Sequence, residues 1–238
     1  GKFSDRAHHE LRELSASTPI MLHNYFPPPK DPFVLNLAST DPDITRRSRD
    51  LVITALDLSV EFGASHYAVH SGYCLDATVG SLGRPLEGTK RVSRQQSITL
   101  LLENLQILGE YARESGVRLL VENHALAAFN LTKFDENPLL MTDPDEIEMV
   151  LDELAGNVGL LLDVGHLNVS SKSQAFDLEN AMARLLPITE GFHLSANYGL
   201  ADEHRRFGCD AWFLPYLRGR DDFVTIEVHS PRIEDAIS

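Results

Sequence analysis

Six short and largely apolar runs alternate with amphipathic runs along this chain of 238 residues, and this alternation constrains its fold more than any other feature. The apolar runs are predicted as strands, because short runs without polar alternation are typical of parallel strands covered by helices. We expect strands at residues 19–26, 66–72, 117–124, 158–167, 191–197 and 223–230. Strands that alternate with helices predict an α/β fold with a parallel sheet inside a layer of helices.

Helix-start signals precede several of the amphipathic runs. Asp41 and Pro42 begin one, since aspartate caps free backbone amides and proline suits the first helical turn. Ser93 and the pair Asp143-Pro144 begin two others. The predicted helices cover residues 4–14, 41–63, 93–116, 142–156 and 176–186. Two connections that follow strands, 73–92 and 125–141, are long for a compact domain and are therefore predicted to be functional.

Residues that can bind metal stand at or near the carboxyl end of every predicted strand. Parallel strands bring these ends to one edge of the sheet, so the side chains are expected to converge. Carboxylates packed together repel each other unless a cation lies among them, and mixed imidazole and carboxylate ligands suit zinc, manganese, iron or cobalt. The residues are His23, His70, Glu122, His124, Asp163, His166, His193, Glu227 and His229, with Asp202 and His204 in the loop after the fifth strand.

Two of these histidines are predicted to have a role other than metal binding. His124 and His229 lie two residues beyond Glu122 and Glu227, so the alternation of a strand returns them to the same face. We expect them to line the pocket rather than to bind the metal.

Charge and cysteine content narrow the functional classes. The net charge is −14, from 21 basic and 35 acidic residues, whereas nucleic-acid binding usually needs a basic face. Cys74 and Cys209 form no CxxC motif, which favours a reducing compartment and hence a cytoplasmic location. The sequence contains no run of 18 apolar residues, so no transmembrane helix is predicted.

Several motifs resemble those of the xylose-isomerase-like superfamily of (β/α)8 barrels. That group contains sugar isomerases and epimerases, inosose-processing enzymes and the endonuclease IV type of DNA-repair nuclease. The resemblance extends from about Pro19 to Ser230 and implies a barrel of this type. It rests on the segments LLVENH, LLLDVGH, FHLSAN, DEH and TIEVHS.

The number of strands departs from the family pattern. From His23 to Glu227 the chain uses about 41 residues per strand–helix unit, and eight such units exceed its length. Nothing before Pro19 is predicted as a strand. We therefore expect residues 1–238 to form a single, N-terminally incomplete domain, a partial barrel of about six units that lacks the first two strands.

The resemblance also implies two sets of site residues. In the isomerase and epimerase branch, one metal would be held by Glu122, Asp163, His193 and Glu227. The two glutamates would also be the catalytic acid–base pair, and His166 resembles a catalytic histidine that contacts substrate. In the endonuclease branch, up to three metals would use additional ligands, namely His23, His70, His166, Asp202 and His204.

These inferences favour a divalent-metal-dependent isomerase or epimerase. The substrate would be a small sugar, sugar phosphate or polyol ketone, converted by proton transfer through an enediolate and bound by Asn123, His124 and Arg205. The expected cofactor is Zn, Mn or Co, as one ion or as many as three, and no nucleic-acid or membrane partner is expected. Two alternatives stay open, an endonuclease IV-like zinc phosphodiesterase acting on abasic DNA and a catalytically inactive metal-binding barrel. The oligomeric state is also open, a homo-oligomer included.

Overall fold

The computed structural model describes residues 4–134 and 136–229, and its centre is a curled sheet of six parallel strands. The strands in the described part of the chain are β1 (Leu22–His23), β2 (His66–His70), β3 (Asp76–Ala77), β4 (Gly88–Thr89), β5 (Arg118–Glu122), β6 (Gly159–Asp163), β7 (Thr189–Leu194) and β8 (Phe223–Ile226). The sheet has the order β1-β2-β5-β6-β7-β8, while β3 and β4 form a separate antiparallel pair. This architecture confirms the predicted partial (β/α)8 barrel.

Helices lie between the strands of the sheet and pack outside it. They are α1 (Asp5–Ser15), α2 (Pro42–Glu61), α3 (Arg94–Ser115), α4 (Ala128–Phe134), α5 (Pro144–Glu153), α6 (Val164–Gln174) and α7 (Leu178–Leu185). The helix-start signals are confirmed: Asp41, Ser93 and Asp143 each cap the following helix by accepting a backbone N–H. None of the described helices is both long enough and apolar enough to cross a membrane.

The fourth predicted strand, 158–167, is wrong beyond Asp163. The strand β6 ends at Asp163, whose Oδ1 accepts the backbone N–H of His166 at 2.7 Å and so begins helix α6. The residues after Asp163 are buried on a helix instead of a strand. Gly165 lets this helix approach the end of β7, because a Cβ there would lie 2.6 Å from Ser195 Oγ.

Other strands are shorter than the sequence predicted. Only Leu22 and His23 pair with β2, whereas the sequence predicted a strand over 19–26. The chain turns away at Asn24, which has a φ of 44°, in the left-handed region. The last predicted strand ends at Ile226, and Ser230, its predicted end, lies outside the described residues.

Two of the three buried apolar clusters in the described part of the chain hold these elements together. The larger core lies between the sheet and the helices and contains buried residues such as Leu56, Leu105 and Val121. A smaller one lies under the two long connections, which we name the hairpin loop (73–92) and the helical loop (125–141). It contains Val34, Tyr73, Leu75, Leu86, Leu126 and Leu139. The hairpin loop contains β3 and β4, the helical loop contains α4, and the sequence predicted neither.

Candidate metal centre

The parallel register brings the predicted metal ligands together. His70 is opposite Glu122 across β2 and β5, and Asp163 is opposite His193 across β6 and β7. Glu227 directly follows β8, the neighbour of β7. Because the strands are parallel, their carboxyl ends meet at one end of the sheet, and these residues all lie there.

Glu122 lies at the centre of this arrangement and is fully buried. Its Oε2 is 3.2 Å from His23 Nε2 and 3.1 Å from His70 Nε2. Its Oε1 is 3.3 Å from Nδ1 of His193, and that nitrogen is 3.0 Å from Glu227 Oε2. One carboxylate therefore contacts three imidazoles, and one of these imidazoles lies between the two glutamates.

A second set of contacts extends the cluster to the loop after β7. His166 Nδ1 is 2.7 Å from the carbonyl oxygen of Asn123, and its Nε2 is 3.1 Å from Asp202 Oδ2. His204 Nε2 is 2.8 Å from the same Asp202 oxygen. A backbone carbonyl that accepts from one ring nitrogen is the usual way to orient a metal-binding histidine. We call the whole set the donor cluster: His23, His70, Glu122, Asp163, His166, His193, Asp202, His204 and Glu227.

The donor cluster fits a divalent cation because its ligand atoms lie close together and some of them have no hydrogen-bond partner among the described residues. Ligand atoms of Glu122, Asp163, His193 and Glu227 all lie within 4.8 Å of one another. Within the described part of the chain, Oδ2 of Asp163 and Nε2 of His193 have no hydrogen-bond partner, and the short contacts of the Glu122 oxygens with imidazole nitrogens do not have hydrogen-bond geometry. Buried polar atoms are normally paired, because an unpaired one costs about 1–3 kcal/mol. Imidazole nitrogens and carboxylate oxygens in this number are the ligands that zinc and similar metals prefer.

The same crowding perturbs the acidities of the cluster. Burial disfavours charge on His193, but the carboxylates of Glu122 and Glu227, with a smaller effect of Asp163, outweigh it and raise the pKa of His193 to about 10. Burial dominates at His23 and lowers its pKa to about 4. Burial also raises the pKa of Asp163 above its usual value. Neighbours of similar type thus differ in pKa because their surroundings differ, which is typical of functional sites.

A family model described as "Xylose isomerase-like TIM barrel" matches residues 2–235. The chain belongs to the xylose isomerase-like TIM barrel family. This confirms the resemblance inferred from the motifs.

Solved structures of other proteins share this fold at low identity. A D-tagatose 3-epimerase-like protein superposes with a TM-score of 0.70 at 22% identity, over 98% of this chain and 79% of that one. A protein from Thermus thermophilus, soaked with ZnCl2, has a TM-score of 0.66 at 24% identity, over 98% and 80%. Likeness at this level establishes the fold alone.

A curated protein is similar to this chain in sequence. The "Probable endonuclease 4" of Thermoplasma acidophilum is 25% identical over 179 residues, which are 74% of this chain and 52% of the relative. The chain therefore spans about half the length of that protein.

The barrel also forms a pocket beside the donor cluster, with a volume of about 170 Å³. His70, His166 and Asp202 of the cluster line one part of it. The remaining walls come mainly from the hairpin and helical loops and are largely apolar; they include Tyr73, Leu82, Arg84, Leu86, Phe129 and Leu139. These walls lie in the two long connections that the sequence predicted to be functional, although the prediction named none of their residues.

His124 lines this pocket and presents a nitrogen that accepts hydrogen bonds. Its Nδ1 is 3.1 Å from Ser71 Oγ, and Ser71 Oγ is 3.0 Å from the carbonyl oxygen of Leu140. Because a carbonyl only accepts, the Ser71 hydroxyl donates to Leu140 and His124 Nδ1–H donates to Ser71. The tautomer then leaves Nε2 of His124 as an acceptor, and this buried atom has no partner in the described residues.

Asn123 and Arg205, the other predicted substrate contacts, lie elsewhere in the barrel. The amide of Asn123 binds the backbone of Asp163 at both ends, at 3.1 and 2.8 Å, so it connects two strands. The guanidinium of Arg205 stacks on the ring of Tyr198 at 4.2 Å and is 47% exposed. Neither side chain lines the pocket.

Proposed function

We propose that this barrel catalyses a metal-dependent isomerisation or epimerisation of a small sugar-like carbonyl compound. The observation that carries the proposal is the pocket of about 170 Å³ lined by members of the donor cluster. It has the size of a small molecule, and its walls come from the loops where enzymes of this fold form their substrate sites. A structural relative is named as D-tagatose 3-epimerase-like, which agrees with this reaction class.

Glu122 and Glu227 are the proposed pair of proton carriers. One removes the proton next to the carbonyl group, and the other returns a proton to the neighbouring carbon or to the opposite face. Their settings differ, since Glu122 is fully buried whereas the side chain of Glu227 is 37% exposed. His193 Nδ1 lies between the two carboxylates, 3.3 Å from Glu122 Oε1 and 3.0 Å from Glu227 Oε2.

Glu122, Asp163, His193 and Glu227 are the proposed ligands of the metal. A bound divalent metal supplies Lewis-acid stabilisation of the charge that develops when the substrate loses a proton. His166 lines the pocket with its ring oriented by the Asn123 carbonyl, and His124 Nε2 accepts a hydrogen bond from a substrate hydroxyl. We expect these contacts to hold the substrate beside the donor cluster.

Isotope exchange tests this proposal without knowledge of the natural substrate. Protein loaded separately with Mn, Co or Zn is incubated with a panel of aldoses and ketoses in deuterated water, and deuterium at the α carbon is measured by NMR. We expect enzyme-dependent exchange with at least one sugar, and a rate about 10³-fold lower with the Glu122→Gln variant. Absence of exchange across the panel in metal-loaded protein contradicts the proposal.

A second candidate, a phosphodiesterase of the endonuclease IV type, is favoured by one observation. His23 and His70 both lie within 3.2 Å of the same oxygen of Glu122, and a site for one metal does not need them. The relative named "Probable endonuclease 4" agrees with this reading. The net charge of −14 opposes it, because a duplex would be repelled.

Metal stoichiometry and strand cleavage separate the two candidates. One tightly bound ion per chain and no nicking of a duplex with an abasic site support the isomerase or epimerase. Three bound zinc ions together with nicking support the phosphodiesterase and contradict the first proposal.

A further inference from the structure

One cation faces the pocket from the hairpin loop. Arg84 is exposed and lines the pocket together with its neighbours Leu82 and Gly83. The other side chains on this part of the wall are apolar or aromatic. Arg84 is therefore the charged side chain on this otherwise uncharged part of the pocket wall.

The other cations of the hairpin loop are already paired. Lys90 Nζ is 2.6 Å from Asp41 Oδ2, and Arg91 forms an ion pair with Glu136. Arg84 has no carboxylate partner among the described residues. Within one loop, the basic residues that face away from the pocket are neutralised and the one that lines it is not.

The position of Arg84 is held from both sides. Ser81 Oγ donates to the carbonyl oxygen of Thr78 at 2.8 Å and stabilises the short turn before it. After it, the backbone N–H of Leu86 donates to Asn130 Oδ1 of helix α4 at 2.9 Å. Ser81 and Leu86 are 4% and 3% exposed, so both anchors are buried. These two anchors hold the backbone of Arg84 beside the pocket.

The opposite charge on the pocket wall belongs to Asp202, which already contacts His166 and His204. An anionic group of a ligand is repelled by Asp202 and attracted by the free guanidinium. Arginine binds phosphate and carboxylate through parallel N–H groups, which adds orientation to the charge attraction.

We propose that Arg84 binds an anionic group of the substrate, so that the substrate is a small polyhydroxy carbonyl compound with a phosphate or a carboxylate. This inference rests on the proposed function, which supplies the carbonyl group that reacts. It adds a specificity-determining residue that lies outside the donor cluster and that the motifs did not indicate.

Binding of matched probes tests this inference. Isothermal titration calorimetry compares glycerol, glycerate and glycerol 1-phosphate on metal-loaded protein in buffer without phosphate. We expect at least one of the two anions to bind about tenfold more tightly than glycerol. The stronger anion identifies phosphate or carboxylate as the group recognised.

Variants show whether Arg84 is responsible. Arg84→Ala is expected to remove the preference for the anion, and Arg84→Lys to retain part of it because the charge remains. Lys90→Ala is the matched control, since it removes a cation from the same loop that is paired with Asp41. Metal content and circular dichroism of the variants verify that the fold and the donor cluster are intact.

Two outcomes overturn the inference: equal binding of the three probes by the wild-type protein, or an anion preference that persists in Arg84→Ala. The latter result would place the anion on the metal. Because the comparison needs no turnover, it can be read even when isotope exchange fails. Failure of the proposed function and failure of this inference are therefore distinguishable.

Discussion

The strand ends and the hairpin loop differ in how their charged side chains are arranged. At the strand ends, the buried carboxylate of Glu122 lies within 3.3 Å of three imidazoles, and Nε2 of His193 has no hydrogen-bond partner in the described part of the chain. In the hairpin loop, Lys90 and Arg91 are paired with carboxylates near the surface. The strand ends thus concentrate buried charge, whereas the loop keeps its charges exposed and leaves Arg84, at the pocket, without a carboxylate partner among the described residues.

This difference assigns chemistry and selectivity to separate parts of the molecule. A rigid parallel sheet can hold mutually repelling groups near one another, because its backbone hydrogen bonds do not depend on them. Loops lack that support and are stable here through their own apolar core and hydrogen bonds. Changes at the strand ends should therefore affect metal and catalysis, whereas changes in the loops should affect stability and substrate preference.

The largest effect is expected from Glu122→Gln. The variant retains the shape of the side chain but removes a proposed base, and isotope exchange should fall by about 10³-fold. Glu103→Gln, on the exposed face of α3, is the control and should retain the wild-type rate. Exchange within threefold of wild type in Glu122→Gln would remove this residue from the proton-transfer pair.

Removal of the metal is expected to lower thermal stability. A ligand present at about a thousandfold excess over its dissociation constant stabilises the folded state by about 4 kcal/mol. For a chain of this size that corresponds to a fall in Tm on the order of 10 °C after chelation. Differential scanning calorimetry with and without EDTA measures it.

An Asp163→Ala variant gives the internal control for that experiment. It lacks a proposed ligand, so its Tm should respond little to EDTA. A wild-type Tm that does not change on chelation would contradict a metal at the donor cluster.

A loop change should cost stability without altering metal content. Asn130→Ala leaves the buried N–H of Leu86 without its acceptor, which costs about 1–3 kcal/mol and lowers Tm by about 5 °C. The matched control is Thr132→Ala on the exposed side of the same helix. If Asn130→Ala also loses metal, the separation between strand ends and loops is wrong.

The smallest effect is expected from Arg205→Ala. Its guanidinium stacks on Tyr198 at the surface, so the free energy of unfolding should change by no more than about 0.5 kcal/mol. Isotope exchange should also be unchanged. A KM raised more than about tenfold would show instead that the loop after β7 contacts the substrate.

The donor cluster could be predicted because its geometry follows from parallel pairing. Once His70 and Glu122 are assigned to neighbouring strands, their proximity needs no further information. The end of β6 was less predictable, since the residues after Asp163 are as apolar as a strand. Only the capping bond to His166 shows that a helix begins there.

Arg84 could not be located from sequence for a different reason. Its place at the pocket depends on a contact between Leu86 and Asn130, which are far apart in the chain and lie in different loops. Local patterns do not encode such pairs. The same limit applies to β1, where the backbone of Asn24 leaves the strand early and its carbonyl oxygen accepts from Tyr67 Oη at 2.8 Å.

Asp163 begins a helix and belongs to the donor cluster at once, so the two oxygens of its carboxylate have different surroundings. Oδ1 accepts the His166 amide at 2.7 Å, whereas Oδ2 has no partner in the described part of the chain. If Oδ2 alone bound the proposed cation, Asp163 would supply a single hard oxygen donor. Calcium takes six to eight oxygens, often from bidentate carboxylates, so this arrangement would suit the smaller transition metals better than calcium.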